Sequence, residues 1–241
     1  RRLAISHLSV RSPEGTNVLD DVSFDVYGGE ILGIAGISGN GQKELLEAIA
    51  GLQHTESGSD VKFFAPGEED KPMELLGKSP KDIRDAGVHL SFVPEDRLGM
   101  GLVGTMGMTD NMMLKSYGEG RSPLVDHRAP RELAEKIRKE LGVVTPGLNT
   151  PVSRLSGGNV QKVLVGRELA ASPIVLMTAY AVRGLDINTS YTIYNLLNEQ
   201  KEKGVAVIYV GEDLDVLLEL CDRILVLCGG KANGMLDART T

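Results

Sequence analysis

The chain has 241 residues, of which 41% are hydrophobic and 24% charged, and its formal net charge at pH 7 is −7. That length can bury one large core, or a core with a subdomain, while the acidic balance argues against a protein that binds nucleic acid through its phosphate backbone. Because no uninterrupted apolar run is long enough to span a bilayer, we expect a soluble domain whose membrane role is peripheral. Two cysteines, Cys221 and Cys228, are predicted to be reduced thiols in the core.

The N-terminal third predicts strands that lead into a glycine loop. Apolar alternation over Leu3–Val10 and Val18–Val26 favours two antiparallel strands, and Ile31–Ala35 is typical of a short buried strand. A helix is predicted from Gln42 to Ala50, with its apolar face toward the core. The loop between strand and helix is the context in which a phosphate loop occurs.

That loop lacks the groups that a working phosphate loop uses. The usual pattern places a lysine where Gln42 stands and a serine or threonine where Lys43 stands. Without them the loop has no cation for the β- and γ-phosphates and no hydroxyl for Mg²⁺, although its N–H groups can still face a phosphate. We therefore predict a weak nucleotide site; the alternative is a glycine turn without a ligand. The predicted site consists of Gly36, Ser38, Gly39, Asn40, Gly41, Gln42, Lys43 and Glu44.

The middle of the chain is predicted to be loop and helix. The charged stretch from Gly67 to Gly77 favours a solvated loop, and Ser79–Ala86 a short helix capped by Ser79. A strand is expected at Val88–Val93, and an amphipathic helix at Arg128–Leu141. The Gly- and Met-rich residues up to position 120 give no assignable pattern.

A short polar string then opens the next predicted helix. It reads Leu155-Ser156-Gly157-Gly158-Asn159, and a serine followed by two glycines at a helix start leaves N–H groups exposed at the positive end of the helix dipole. Exposed N–H groups of this kind can bind a phosphate group. A glycine-rich helix cap without a ligand is the alternative.

From this string onward helices and strands alternate. We predict helices near 158–171, 187–203 and 214–220, and strands at 174–177, 205–210 and 223–227. Such alternation implies a mainly parallel sheet with helices on both faces. The predicted helical segment before it interrupts that order.

Together, these features resemble the ATP-binding domain of ABC transporters. The Ser156–Asn159 string resembles the family's signature motif, and Gly184-Leu185-Asp186 resembles the turn that follows its metal-binding strand. Within the family, the closest resemblance is to the second, C-terminal ATPase half of tandem importers for simple sugars and nucleosides. The strings Val93-Pro94-Glu95-Asp96-Arg97-Leu98-Gly99 and Leu155-Ser156-Gly157-Gly158-Asn159-Val160-Gln161-Lys162 carry that narrower resemblance.

The resemblance implies an α/β fold: a P-loop ABC ATPase core with a mainly parallel sheet, an antiparallel β region and an inserted helical subdomain. We expect one domain over residues 1–241, with the core at about 1–95 and 160–241 and the helical subdomain at about 96–159. Besides Gln42 and Lys43, four further positions depart from the family pattern. Glu95 replaces the usual glutamine, Ala179 and Tyr180 replace the aspartate and glutamate that serve the metal and the attacking water, and Glu212 replaces a histidine. No catalytic residue and no metal ligand are therefore predicted.

The implied function is that of a half whose own site is degenerate. In this family two halves bind ATP between them, so that the signature of one half faces the nucleotide held by the other. We expect the signature string to serve ATP and Mg²⁺ in the partner's site, with Asp186 at the seam between the halves and weak or no ATP in this half's own site. Catalysis by the isolated domain is expected to be absent or very weak.

The implied partners are an N-terminal ATPase half of the same polypeptide, membrane permease subunits and, indirectly, an extracellular solute-binding protein, but no nucleic acid. The implied location is the cytoplasmic face of the bacterial plasma membrane. A free-standing ABC-like regulatory or scaffolding module, which binds nucleotide without transport, is the alternative. The sequence does not identify the transported solute, because the permease and the solute-binding protein select it.

Overall fold

The computed structural model describes residues 1–115 and 126–240. Within these ranges the chain forms ten strands and seven α-helices. In chain order they are β1 Leu3–Arg11, β2 Asn17–Val26, β3 Glu30–Ala35, α1 Gln42–Ile49, β4 Asp60–Phe63, β5 Met73–Glu74, α2 Pro80–Asp85, β6 Leu90–Val93, α3 Met108–Met113, α4 Arg128–Glu140, α5 Gly157–Ala170, β7 Val175–Ala179, α6 Ile187–Glu202, β8 Ala206–Val210, α7 Leu214–Leu220, β9 Arg223–Cys228 and β10 Lys231–Asp237.

The strands form two sheets. One has the order β2-β1-β4-β5, and its paired strands are antiparallel. The other has the order β10-β9-β3-β8-β7-β6, in which β9, β3, β8 and β7 are parallel and β10 runs antiparallel to β9. This arrangement confirms the predicted fold class, with a mainly parallel sheet and a separate antiparallel region.

Two local predictions are wrong. The stretch Gly67–Gly77 contains β5, because Met73 pairs with Phe63 of β4 and completes the antiparallel sheet. This pairing partner is ten positions earlier in the chain and overrides the local charge pattern. Of the two cysteines, Cys221 is buried, whereas Cys228 is exposed at the end of β9.

The first of two compact units comprises Arg1–Phe92, Pro173–Tyr180 and the chain from Tyr194 onward. Both sheets and helix α1 contribute to one continuous apolar core. On α1 the predicted apolar face is buried, and its members are Leu45, Leu46 and Ile49. This core fixes β3 and α1, which are the two elements that flank the glycine loop.

The second unit comprises Val93–Ser172 and Ala181–Ile193. In it, α4 packs on α5 at close range, since a Cβ added to Gly166 would lie 2.7 Å from Cγ2 of Ile137. A single π-helical turn, Arg97–Gly101, precedes α3. The buried Asn111 side chain holds the segment after this turn by accepting from the Val103 N–H and donating to three carbonyl groups. The same segment accepts hydrogen bonds from the Val152 and Ser153 N–H groups, at the Met106 and Gly104 carbonyls, and so connects to the residues just before α5.

In the first unit, Asp222 joins three segments that are distant in sequence. Its carboxylate accepts a hydrogen bond from the Ile31 N–H at 2.9 Å, pairs with Lys201 at 2.7 Å, and also pairs with Arg239. Burial alone raises the pKa of Asp222, but the hydrogen bonds from Lys201, Ile31 and Arg239 outweigh it, so that the pKa lies below its ordinary value.

We predict that Asp222→Asn lowers the free energy of unfolding at pH 7 by about 2 kcal/mol, because Lys201 loses its carboxylate partner. A carboxyl group with a depressed pKa in the folded state stabilises the fold above about pH 4, and this contribution is lost as the pH falls through the folded pKa. Urea unfolding of both proteins between about pH 7 and pH 3 should therefore show the difference shrinking below about pH 4. A constant difference across that range would contradict the assignment, and Asp70→Asn at an exposed site is the control.

Candidate functional site

The glycine loop between β3 and α1 has the backbone of a phosphate loop. Gly39 and Gly41 adopt φ angles of 89° and 99°, in the region that favours glycine. A Cβ added to Gly36 would lie 2.4 Å from the Leu227 carbonyl oxygen, so this position also requires glycine. The loop therefore has the glycine turn that the sequence predicted, together with a close backbone approach at Gly36.

The side chain of Gln42 is folded back into this loop. Its Oε1 accepts a hydrogen bond from the Asn40 N–H at 3.0 Å, and its Nε2 donates to the Ile37 carbonyl at 3.0 Å. The Asn40 side chain adds two more contacts, donating to the Ile37 carbonyl at 2.6 Å and accepting from the Gly229 N–H at 2.7 Å. Gln42 is only 2% exposed. The amide of Gln42 thus takes up an N–H group that a phosphate loop presents to its ligand.

Lys43 does not supply the missing cation. Its Nζ lies 3.7 Å from Oε1 of Glu47, one turn further along α1, and its side chain is largely exposed. The second oxygen of Glu47 accepts a hydrogen bond from Gln53 at 2.8 Å. The lysine charge is therefore directed along the helix to a carboxylate. Beside it, Glu44 lies half-buried in the first turn of α1, where a carboxylate is favoured by the helix dipole.

The last residue of β7 and the residue that follows it carry no carboxylate. Ala179 is 3% exposed and Tyr180 is 5% exposed, and both belong to the apolar core. Tyr180 has a φ of 50°, and its N–H donates to the Val210 carbonyl at 2.9 Å. A non-glycine residue in this conformation costs roughly 1–2 kcal/mol, which the surrounding packing has to offset. In the same unit, Glu212 is exposed and precedes Asp213, whose carboxylate caps α7.

These residues do not fit a magnesium–triphosphate complex. On the loop, an uncharged amide replaces the cation and is already hydrogen-bonded to the backbone. At the end of β7, the side chains available are a methyl group and a buried phenol instead of metal-binding carboxylates. Among the residues that the structure describes, no cluster of three or more His, Cys, Asp or Glu side chains could hold a metal ion.

The signature segment, Leu155–Asn159, lies in the second unit at the start of α5. Ser156 caps this helix: its Oγ accepts from the Asn159 N–H at 3.4 Å and from the Asn159 side chain at 2.9 Å. Asn159 in turn accepts from the Val144 N–H at 3.0 Å. Ser156 and Gly157 are exposed, Gly158 is half-buried, and helix geometry leaves their N–H groups without intrahelical acceptors. This helix start fits a phosphate group.

Asp186 lies beside the signature segment. Its carboxylate accepts from the Thr189 N–H at 3.0 Å and from the Thr189 hydroxyl at 2.7 Å, at the start of α6. These hydrogen bonds hold the pKa of Asp186 below its ordinary value. A Cβ added to Gly158 would lie 3.2 Å from the Thr189 hydroxyl and 3.6 Å from the Asp186 carboxylate, so glycine allows α5 and α6 to approach closely here.

Two arginines near the signature segment were missed by the sequence analysis. Arg183 pairs with Glu95, and Arg97 donates to the Arg183 carbonyl. The only sequence signal was the presence of Arg97 in one of the strings that carried the resemblance. Arg183 lies just before Gly184-Leu185-Asp186, outside those strings, and neither arginine belongs to a periodic pattern. Glu95 is therefore engaged in an ion pair on the protein surface, with its side chain 41% exposed.

Comparison with known proteins places this geometry among nucleotide-binding cassettes. Residues 19–178 match the family model described as "ABC transporter". The chain is 37% identical over 234 residues to the ribose import ATP-binding protein RbsA 1 of Rubrobacter xylanophilus, covering 96% of this chain and 45% of that protein. It is 34% identical over 242 residues to the guanosine import ATP-binding protein NupO of Bacillus subtilis, covering 99% of this chain and 46% of that protein. The chain thus spans about half the length of the curated relatives that it matches.

Solved structures confirm the fold. A dimeric cassette, MJ0796, in a post-hydrolysis state bound to ADP and Pi superposes with a TM-score of 0.81 at 21% identity, covering 98% of this chain and 99% of that one. A nucleotide-free cassette from an ABC transporter has a TM-score of 0.77 at 23% identity, covering 98% and 91%. In the part of the chain that the structure describes, none of the helices combines the length and apolar character needed to cross a membrane.

Proposed function

The chain belongs to the ABC transporter family, whose members bind ATP with Mg²⁺, and on this premise we propose that it is the second of two ATPase halves in an importer for simple sugars or nucleosides. Its own nucleotide site is degenerate, and its signature segment completes the ATP site of the other half. The observation that carries this proposal is the contrast between Gln42, bonded into its own loop, and the open helix start at Ser156.

Several further observations support this assignment. The relatives are about twice as long as this chain and carry the names of ribose, xylose, guanosine and nucleoside import ATP-binding proteins, which favours an importer over a free-standing module. The family relationship also supports permease subunits as partners and a location at the cytoplasmic face of the membrane. In this proposal the helical insert, at about residues 96–159, contacts the permease, and the permease and solute-binding protein select the solute.

In this proposal, groups at the starts of α5 and α6 of this chain act in the partner's ATP site. The hydroxyl of Ser156 and the N–H groups at the start of α5 bind and orient a terminal phosphate, because donors fixed in place stabilise charge that develops during hydrolysis. Asp186 stays ionised and holds the start of α6 next to Gly158. In this proposal the general base comes from the other half, and none of the described residues of this chain is assigned that role.

Calorimetry on this chain tests whether its own loop holds nucleotide. We expect the dissociation constant for Mg·ATP to exceed about 100 μM, because charge-assisted bonds to the phosphates have been lost. Gln42→Ala releases the Asn40 N–H but adds no charge, and the affinity should stay similarly weak. Low-micromolar binding that disappears in Gly41→Val, in which a side chain would meet Leu19 and the Val18 carbonyl, would overturn the proposal.

A further inference from the structure

Arg97 stands next to the first residue of helix α5, within the second compact unit. Its Nη2 donates to the Arg183 carbonyl, and its Nη1 lies 3.4 Å from the position that a Cβ on Gly157 would take. The side chain is half-buried, and removal from water lowers the pKa of the Arg97 guanidinium. A full positive charge is therefore held, partly desolvated, against the signature segment.

Three acidic side chains of this unit, which lie near Arg97 in sequence or beside Gly158, each bind another group. Glu95 pairs with Arg183, Asp96 accepts from the Gly99 N–H at 2.8 Å, and Asp186 accepts two hydrogen bonds from Thr189. Within residues 1–115 and 126–240, Arg97 forms no ion pair with a carboxylate. In contrast to Arg183, the charge of Arg97 has no counterion among the described side chains.

This placement is electrostatically unfavourable for the protein alone. The N-terminus of a helix carries a positive partial charge, so a cation beside the start of α5 is repelled. Charges that are partly withdrawn from water are normally paired. A guanidinium has five N–H donors, and with Nη2 directed at the Arg183 carbonyl, Nη1 and Nε remain for another acceptor. An anion at the start of α5 would balance both positive groups at once.

We propose that Arg97 is a further phosphate-binding residue beside the signature segment. Its full positive charge acts on the phosphate together with the N–H groups at the start of α5. Its ligand is the terminal phosphate of a nucleotide held by the second ATPase half, so this inference rests on the proposed function. Arginine suits the task, because its planar donor group matches phosphate oxygens better than an ammonium group does.

A purely structural role for Arg97, in which it only donates a hydrogen bond to the Arg183 carbonyl, makes a different prediction. That role needs only a hydrogen-bond donor, which Arg97→Gln and Arg97→Lys both retain. Phosphate binding needs charge, which only Arg97→Lys retains. The pair of variants therefore separates the two roles.

The test uses the complete importer in membranes, with its permease, and measures both ATP hydrolysis and the orthovanadate concentration that traps half of the protein. Arg97→Gln should lower the hydrolysis rate roughly tenfold or more and raise that concentration by a similar factor, since a charge-assisted bond to the phosphate is lost. Arg97→Lys should recover a substantial part of both. The matched control is Arg154→Gln, which removes a charge from an exposed position two residues before Ser156.

The variant Ser156→Arg distinguishes a failure of the role of Arg97 from a failure of the proposed function. If it is inactive while Arg97→Gln matches the wild type, the role of Arg97 is refuted and the proposed function stands. Equal losses in Arg97→Gln and Arg97→Lys, with unchanged thermal unfolding, also refute a role of the charge. If Ser156→Arg hydrolyses ATP normally, the proposed function itself fails.

Discussion

Replacing Ser156 with arginine is expected to stop ATP hydrolysis by the complete importer, whereas Gln42→Ala in the same half leaves the rate nearly unchanged. The added side chain removes the serine hydroxyl and fills the exposed start of α5, where the phosphate of the partner's nucleotide binds in our proposal. Loss of one preorganised donor at a developing charge costs roughly a hundredfold in rate. Gln42 belongs to a site in which Ala179 and Tyr180 already replace the metal-binding carboxylate and the general base.

Ser156 also caps α5, so its replacement costs about 1 kcal/mol of stability on its own. Thermal unfolding of the variant is therefore measured alongside phosphate release. Ser153→Arg provides the matched control, because it adds the same side chain at an exposed position three residues earlier without removing the cap. Comparable loss of hydrolysis in the Ser156 and Gln42 variants would mean that both sites work together, contrary to our assignment.

The chain by itself is expected not to hydrolyse ATP. We expect its phosphate release from Mg·ATP to match that of a mock preparation, whereas enzymes typically turn over at about 1–1,000 per second. Introducing the missing cation with Gln42→Lys should not restore turnover, because Ala179 and Tyr180 still provide no carboxylate for metal or water. A Mg²⁺-dependent rate in the wild-type chain that Gln42→Ala abolishes would contradict this prediction.

Local sequence signals were sufficient where structure depends on near neighbours. The strand–glycine loop–helix order around Gly41, the capping of α2 by Ser79 with Pro80 at the first position, and the capping of α5 by Ser156 are all present in the structure. Each depends on residues within about four positions, so that periodicity and capping rules apply directly.

Features that depend on distant partners could not be predicted in this way. Strand β5 exists because Met73 pairs with Phe63, and β10 exists because it pairs with β9. The sequence shows that Gln42 replaces a lysine, but the folded-back position of its amide depends on the course of the loop and on Gly229. Likewise, Arg97 is found to have no carboxylate partner in the described part of the chain only when Glu95, Asp96 and Asp186 are seen with the groups they bind.

The most direct test of the account is to count the nucleotides that orthovanadate traps in the complete importer. In our proposal each site combines the loop of one half with the signature segment of the other, and Gln42 occupies the loop of this half. We therefore predict one trapped ADP for each pair of halves. Ser156→Arg should abolish that trapping, and Gln42→Ala should not. Two trapped nucleotides for each pair, with one lost in Gln42→Ala, would contradict the claim that this half supplies a signature segment but no working site.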